Sequence, residues 1–191
     1  MAEKTLWQMV EEVNEKLEKK GIKAIQKIAG KGRTLYGFLP QAVFDSMNEV
    51  FGPESWGYEI VEYSQQQIEG KGMNAYGLVR VRVFIKSPDG TVVYRESFGG
   101  SRNDGIGDAL KGAVTDAVQK ALALFSVGRI AYEGELGNYY QCYEKVLEKL
   151  KSGDSSIKKA YQEFCKKYGL GRLKEWPLGR LVQFCEENKI K

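Results

Sequence analysis

Two groups of basic residues in this chain have the spacing to meet an anionic ligand. Arg80 and Arg82 alternate with Val79, Val81 and Val83 at a period of two, so they share one strand face with Phe84. Guanidinium and aromatic groups on one face can hold phosphates and stack on base faces together. A solvated outer sheet face is the competing reading. Lys111 and Arg129 lie eighteen residues apart, and at about 100° per residue a continuous helix would point both the same way. Lys120 falls on the other edge of the apolar stripe, so cations would flank the face that packs. Here the competing reading is a surface ion pair between Asp116 and Lys120, four residues apart and worth a few tenths of a kcal/mol.

Other chemistry finds little support. Histidine is absent, which removes the commonest general base near neutral pH and the commonest zinc ligand. Neither Gly30-Lys31-Gly32-Arg33 nor Gly70-Lys71-Gly72 has the spacing or the Lys-Ser/Thr ending of a Walker phosphate loop. Gly105-Ile106-Gly107 precedes an alanine-rich helix but follows an antiparallel sheet and lacks a third glycine in place, so it reads as a helix-entry turn. Ser155-Ser156-Ile157-Lys158 matches a serine-x-x-lysine pattern, yet serine at that point is an ordinary helix cap. Asp89 and Glu96 are the nearest carboxylate set for a metal-dependent nuclease, but Phe98 stands where a lysine is expected. Cys142, Cys165 and Cys185 are odd in number, far apart and set among apolar residues, which predicts buried free thiols. No cofactor, metal or catalytic residue is expected.

The elements that must position the cations are legible from periodicity. Leu6, Val10, Val13 and Leu17 give residues 4–20 one apolar helical stripe, ended by Gly21. A second helix starts near Pro40, presents Val43, Phe44, Met47, Val50 and Phe51, and stops at Gly52-Pro53. From Trp56 to Phe98 the period changes to two, and Ser87-Pro88-Asp89-Gly90 predicts a hairpin of 78–86 with 91–98. Gln65 to Gly77 reads as a connection or hairpin tip. Residues 105–131 carry one long helical pattern, with alanines at four-residue steps that let it approach the sheet. Beyond Gly134 and Gly137 three short helices follow, at 139–150, 155–168 and 177–188. The expected fold is α+β, an antiparallel sheet packed on a long helix in a β-β-β-α core (residues 1–137), with a small helical C-terminal module (138–191).

Charge is unevenly placed. Residues 138–191 hold 12 Lys/Arg against 7 Asp/Glu, and residues 1–137 hold 17 against 18. A basic tail suits an acidic partner, and a solvated lysine-rich face is the alternative. No apolar run is long enough to cross a bilayer. The acidic, amphipathic N-terminus does not read as a leader, so a cytoplasmic location is expected.

Asn48-Glu49-Val50-Phe51-Gly52, followed by Trp56, and Lys111-Gly112-Ala113-Val114-Thr115-Asp116-Ala117, followed by Lys120-Ala121-Leu122 and Phe125, resemble the core of the Rad52 family of single-strand annealing proteins. The resemblance spans about residues 30–132, with the helix motif its most specific part. It implies a β-β-β-α unit that assembles side by side into a ring or arc, with one single-stranded DNA strand in a basic groove between the long helix and the hairpin. It further implies recombination and repair by annealing without ATP. Two positions depart from the family pattern: Gln119 precedes Lys120 where two basic residues are usual, and Ala42 stands where an arginine is usual. Arg33, Arg102 and Arg129 are the candidates to compensate. The expected DNA-binding set is therefore Lys111, Lys120, Arg129, Arg102, Arg80, Arg82 and Arg33. A single-strand-binding protein is a candidate partner of the C-terminal module. A metal-dependent nuclease or a general nucleic-acid-packaging protein is the alternative reading.

Overall fold

The computed structural model describes residues 4–29, 34–67 and 74–190. The described residues of Met1–Val13 and Val43–Gly128 form one compact unit, and those of Asn14–Ala42 and Arg129–Lys191 a second.

Helix α1 (Leu6–Lys20), which belongs to the first unit up to Val13 and to the second from Asn14, opens on a capping box. Gln8 N–H donates to Thr5 Oγ1 at 3.2 Å and Thr5 N–H donates to Gln8 Oε1 at 2.8 Å, so the helix start satisfies its own donors. Helix α2 (Pro40–Phe51) buries Met47 and Phe51. Strand β3 (Trp56–Gln67) follows, and the Trp56 indole N–H donates to Asn48 Oδ1 at 2.8 Å. With β4 (Ala75–Lys86) and β5 (Val92–Asn103) it forms an antiparallel sheet of order β3-β4-β5. Alternation decides its faces: Val79, Val81, Val83 and Ile85 are buried, while Arg80, Arg82 and Phe84 between them are half-exposed. The turn after β4 closes on Ser87, whose N–H donates to Thr91 O at 2.7 Å, with Gly90 at φ 85°.

Helix α3 (Ile106–Ala123) lies on β4 and β5. Ala109, Ala113, Ala117 and Ala121 form its fully buried stripe, as the four-residue steps predict. The approach is close because the sheet offers glycine beneath it. A Cβ on Gly99 would collide with the backbone of Ala113 and Ala117, and one on Gly77 would sit 2.8 Å from Ala109 backbone atoms. This is the α+β core that the sequence pattern predicts.

Two local expectations change. Of the connection or hairpin tip read between Gln65 and Gly77, residues 65–67 and 75–77 are paired strand, with Gln65 opposite Gly77 and Gln67 opposite Ala75, and residues 68–73, where a tip would fall, lie outside the described residues. The long helix does not run from 105 to 131. It ends at Ala123, Ser126 and Gly128 take left-handed conformations (φ 68° and 71°), and a new short helix α4 spans Arg129–Tyr132. Phe125 and Val127 turn inward and are buried there, which keeps the apolar spacing after the helix has stopped.

The second unit holds the β1–β2 hairpin (Ile25–Ala29 and Thr34–Phe38), α4, and helices α5 (Leu136–Lys151), α6 (Ser155–Tyr168) and α7 (Leu178–Glu187). Its core centres on Trp176, fully buried, stacked on Tyr161 and Phe164 and edge-on to Phe184. The indole N–H donates to Gly171 O at 3.1 Å, so burial leaves no orphan donor. α5 packs on β2 and on α7, and the tight turn at Gly21–Ala24 meets the one at Leu173–Glu175. Residues 14–42 thus share a compact unit with the C-terminal helices. The cap of α6 is Asp154, which accepts from Ser156 and Ile157 N–H, and not a serine as the sequence suggests. Of the three free thiols Cys185 is buried, while Cys142 and Cys165 are half-buried.

Candidate nucleic-acid interface

The sheet face turned away from α3 carries Arg80 and Arg82, and the structure brings them together with carboxylates. Arg82 Nε and Nη2 donate to Glu96 Oε1 at 2.8 and 2.7 Å, and Arg80 Nη1 donates to Glu96 Oε2 at 3.2 Å. Glu62 faces Arg80 at 3.3 Å and Glu59 faces Arg82 at 3.9 Å. The Arg82 guanidinium holds the Glu96 carboxyl below its ordinary range, and Glu96 in turn raises Arg82. Two cations against three carboxylates leave no surplus positive charge in the middle of this face. A phosphate reaching Arg80 or Arg82 must compete with Glu96.

Helix α3 presents two of the other predicted cations, Lys111 and Lys120. Lys111 is exposed, and no ion pair to it occurs among the described residues. Lys120 Nζ lies 2.8 Å from Asp116 Oδ2, the i,i+4 pair expected as the competing reading, and the same oxygen accepts Gly100 N–H at 3.0 Å. Asp116 therefore ties the Lys120 flank of α3 to β5. Nine residues separate Lys111 from Lys120, which puts them about 180° apart around the helix. They occupy opposite flanks.

Arg102 sits on β5 opposite Tyr76, with its guanidinium 5.0 Å from that ring's centroid. Arg129 opens α4 in the second unit, so no continuous helix aligns it with Lys111. Arg33 lies outside the described residues. One exposed cation escapes the sequence reading: Arg95, opposite Val83 on the α3 side of the sheet, lies 5.1 Å from the Phe125 ring centroid. The odd-numbered alternation from Val93 to Ser97 is the signal that could have found it.

Aromatic groups are exposed nearby. Tyr58, Ile60 and Tyr63 stand opposite Val83, Val81 and Val79, on the side where α3 packs, yet they are 48%, 52% and 63% exposed because α3 covers β4 and β5. The nuclease reading gains nothing from the geometry. Asp89 accepts Thr91 N–H in the hairpin turn, which lowers its pKa, while Glu96 holds arginines. Among the described residues no group of three or more His, Cys, Asp or Glu could hold a metal ion. No helix among them is long and apolar enough to cross a membrane.

Comparison with curated proteins finds no match. The profile of one family, described as Rad52/22 family double-strand break repair protein, matches residues 9–150.

Proposed function

The chain belongs to the Rad52/22 family of double-strand break repair proteins, and from that premise we propose that it binds single-stranded DNA and anneals complementary strands without ATP or any catalytic step. The observation that carries the reading is the Lys111-Gly112-Ala113-Val114-Thr115-Asp116 segment, laid on an antiparallel sheet within the matched residues, with lysines on both flanks of its helix. Phosphates bind Lys111, Lys120, Arg95 and Arg102, and Arg129 and Arg33 are further phosphate ligands. Arg80 and Arg82 contribute only where Glu96 gives way. Bases stay accessible, and a second strand samples registers until pairing wins.

Each copy supplies few phosphate contacts, so a continuous track needs a homo-oligomer, a ring or arc. The uncovered side chains of Tyr58, Ile60 and Tyr63, on a strand whose outer edge is open in the described sheet, support such an assembly. Residues 1–137 carry annealing and 138–191 serve as an accessory module, whose basic face docks the acidic tail of a single-strand-binding protein. The protein acts in the cytoplasm.

One assay tests the reading. Complementary labelled oligonucleotides are mixed with protein in magnesium, and duplex formation and strand length are followed together. Accelerated duplex formation at constant length is expected. Shortened strands would establish the nuclease, and binding without acceleration would establish a packaging protein.

A further inference from the structure

The sheet face that carries the Arg80 and Arg82 network changes character toward the far end of the strands. In register across the three strands, the row Glu62, Arg80, Phe98 gives way to Ser64, Leu78, Gly100 and then to Gln66, Tyr76, Arg102. At the middle row the side chains shrink to a hydroxymethyl and a hydrogen on either side of Leu78, and a hollow of about 790 Å³ opens over it. Leu78 is 50% exposed and forms an apolar floor. Gln66 and Ser64 supply amide and hydroxyl groups at the rim, and Arg102 stands over Tyr76 at the other side. Among the described residues no carboxylate lines the hollow, although Glu59, Glu62 and Glu96 crowd the rows beside it.

We propose that this hollow receives a single base of bound single-stranded DNA, stacked on Leu78 and the Tyr76 edge, with its edge groups on Gln66 and Ser64 and its phosphate toward Arg102. The inference rests on the single-strand-binding reading above and adds a base contact to what is there a phosphate track. An apolar floor with a polar rim matches a base, which has an apolar face and a hydrogen-bonding edge. The Arg102 guanidinium at the side of the hollow suits the attached phosphate. An acidic peptide would find the apolar floor but no use for the amide rim. Gly100 keeps the hollow open, since a Cβ there would make only ordinary contacts, 3.7 Å from Gly77 O and 3.8 Å from Leu78 Cδ1. A larger residue at 100 therefore fills the space without disturbing the sheet.

The test compares two oligonucleotides of equal length and equal phosphate count, one of thymidines and one of abasic tetrahydrofuran units, by fluorescence anisotropy. Their electrostatic contributions are the same, so the difference reports base contacts. Wild-type protein is expected to prefer the base-bearing strand by roughly tenfold, the scale of one stacked base. Gly100→Ile, which suits a strand, should erase that preference while leaving abasic-strand affinity and the salt slope unchanged. Leu78→Ser, a change at a half-exposed position, should do the same by removing the floor, and decides the matter if Gly100→Ile fails to fold by circular dichroism. Equal wild-type affinity for the two strands would overturn the hollow and leave the phosphate track standing, as would a preference that survives in both variants. Failure of wild type to bind either strand at low salt would remove the single-strand-binding reading itself, and the hollow with it.

Discussion

Glu96 decides what Arg80 and Arg82 can do, because its two oxygens accept from both guanidiniums. Replacing it by glutamine removes the charge and keeps the shape. Glu96→Gln is expected to raise single-stranded DNA affinity at low salt several-fold and to steepen its salt dependence, since two cations become available to phosphates. Unchanged affinity and slope, measured by titration at several salt concentrations, would show that strands never reach this face. The network also has a pH sign. The Glu96 carboxyl titrates below its ordinary value of 4.5, chiefly through its hydrogen bond from Arg82. Its contribution to stability is therefore complete above that ordinary value and is lost as pH falls through the lowered one. On α3 the two lysines are expected to differ. Lys111→Ala should weaken binding more than Lys120→Ala, because Lys120 already faces Asp116, and neither substitution should disturb assembly. If Lys120→Ala binds and anneals like wild type, the motif-based role of that residue is wrong.

At the scale of elements, the proposed interface depends on α3 lying directly on the backbone of β4 and β5. Gly99 beneath Ala113 and Ala117 permits the contact. Gly99→Val should push the helix off the sheet and cost on the order of 1–3 kcal/mol, the usual penalty of overpacking. A lower denaturant midpoint at unchanged m-value is the expected readout, and an unshifted midpoint would mean that α3 has room the geometry denies. This seat was legible in the sequence: alanines at four-residue steps and a period-two run with a Pro-Asp-Gly turn define both partners. The end of the helix was not. Phe125 and Val127 keep apolar spacing after the chain has left the helix, and a serine at positive φ gives no composition signal. The alignment of Lys111 with Arg129 depended on that continuity and goes with it. Periodicity also placed Arg80 and Arg82 on one face with Phe84 but could not reveal Glu59, Glu62 and Glu96 around them, because cross-strand register fixes those pairs.

For the whole molecule, the division of labour proposed at residue 137 meets a packing arrangement that no local pattern announces. Residues 14–42 share a compact unit with residues 129–191, so the hairpin β1–β2 and the Trp176 core depend on partners more than a hundred residues away in sequence. Such pairings leave no trace in helical or strand periodicity, whereas the three C-terminal helices and their aromatic anchor do. Cutting after Gly137 would strip α5 from β2, and any lost activity could then reflect a damaged hairpin. The accessory role is better tested in the full chain by charge. Lys158, Lys166, Arg172 and Lys174 are exposed, and none takes part in an ion pair among the described residues, while Lys159 faces Glu163 at 4.0 Å and Lys167 and Arg180 lie against Tyr168. Reversing those four to glutamate leaves the buried core of the unit untouched. The reversed chain should anneal naked oligonucleotides at the wild-type rate, because α3 and the sheet are intact, and should lose rate on DNA coated with single-strand-binding protein, whose acidic tail it now repels. An equal loss on naked and coated DNA would place these four basic residues on the phosphate track instead. An unchanged rate on both would leave the basic face as a solvated surface with no docking role.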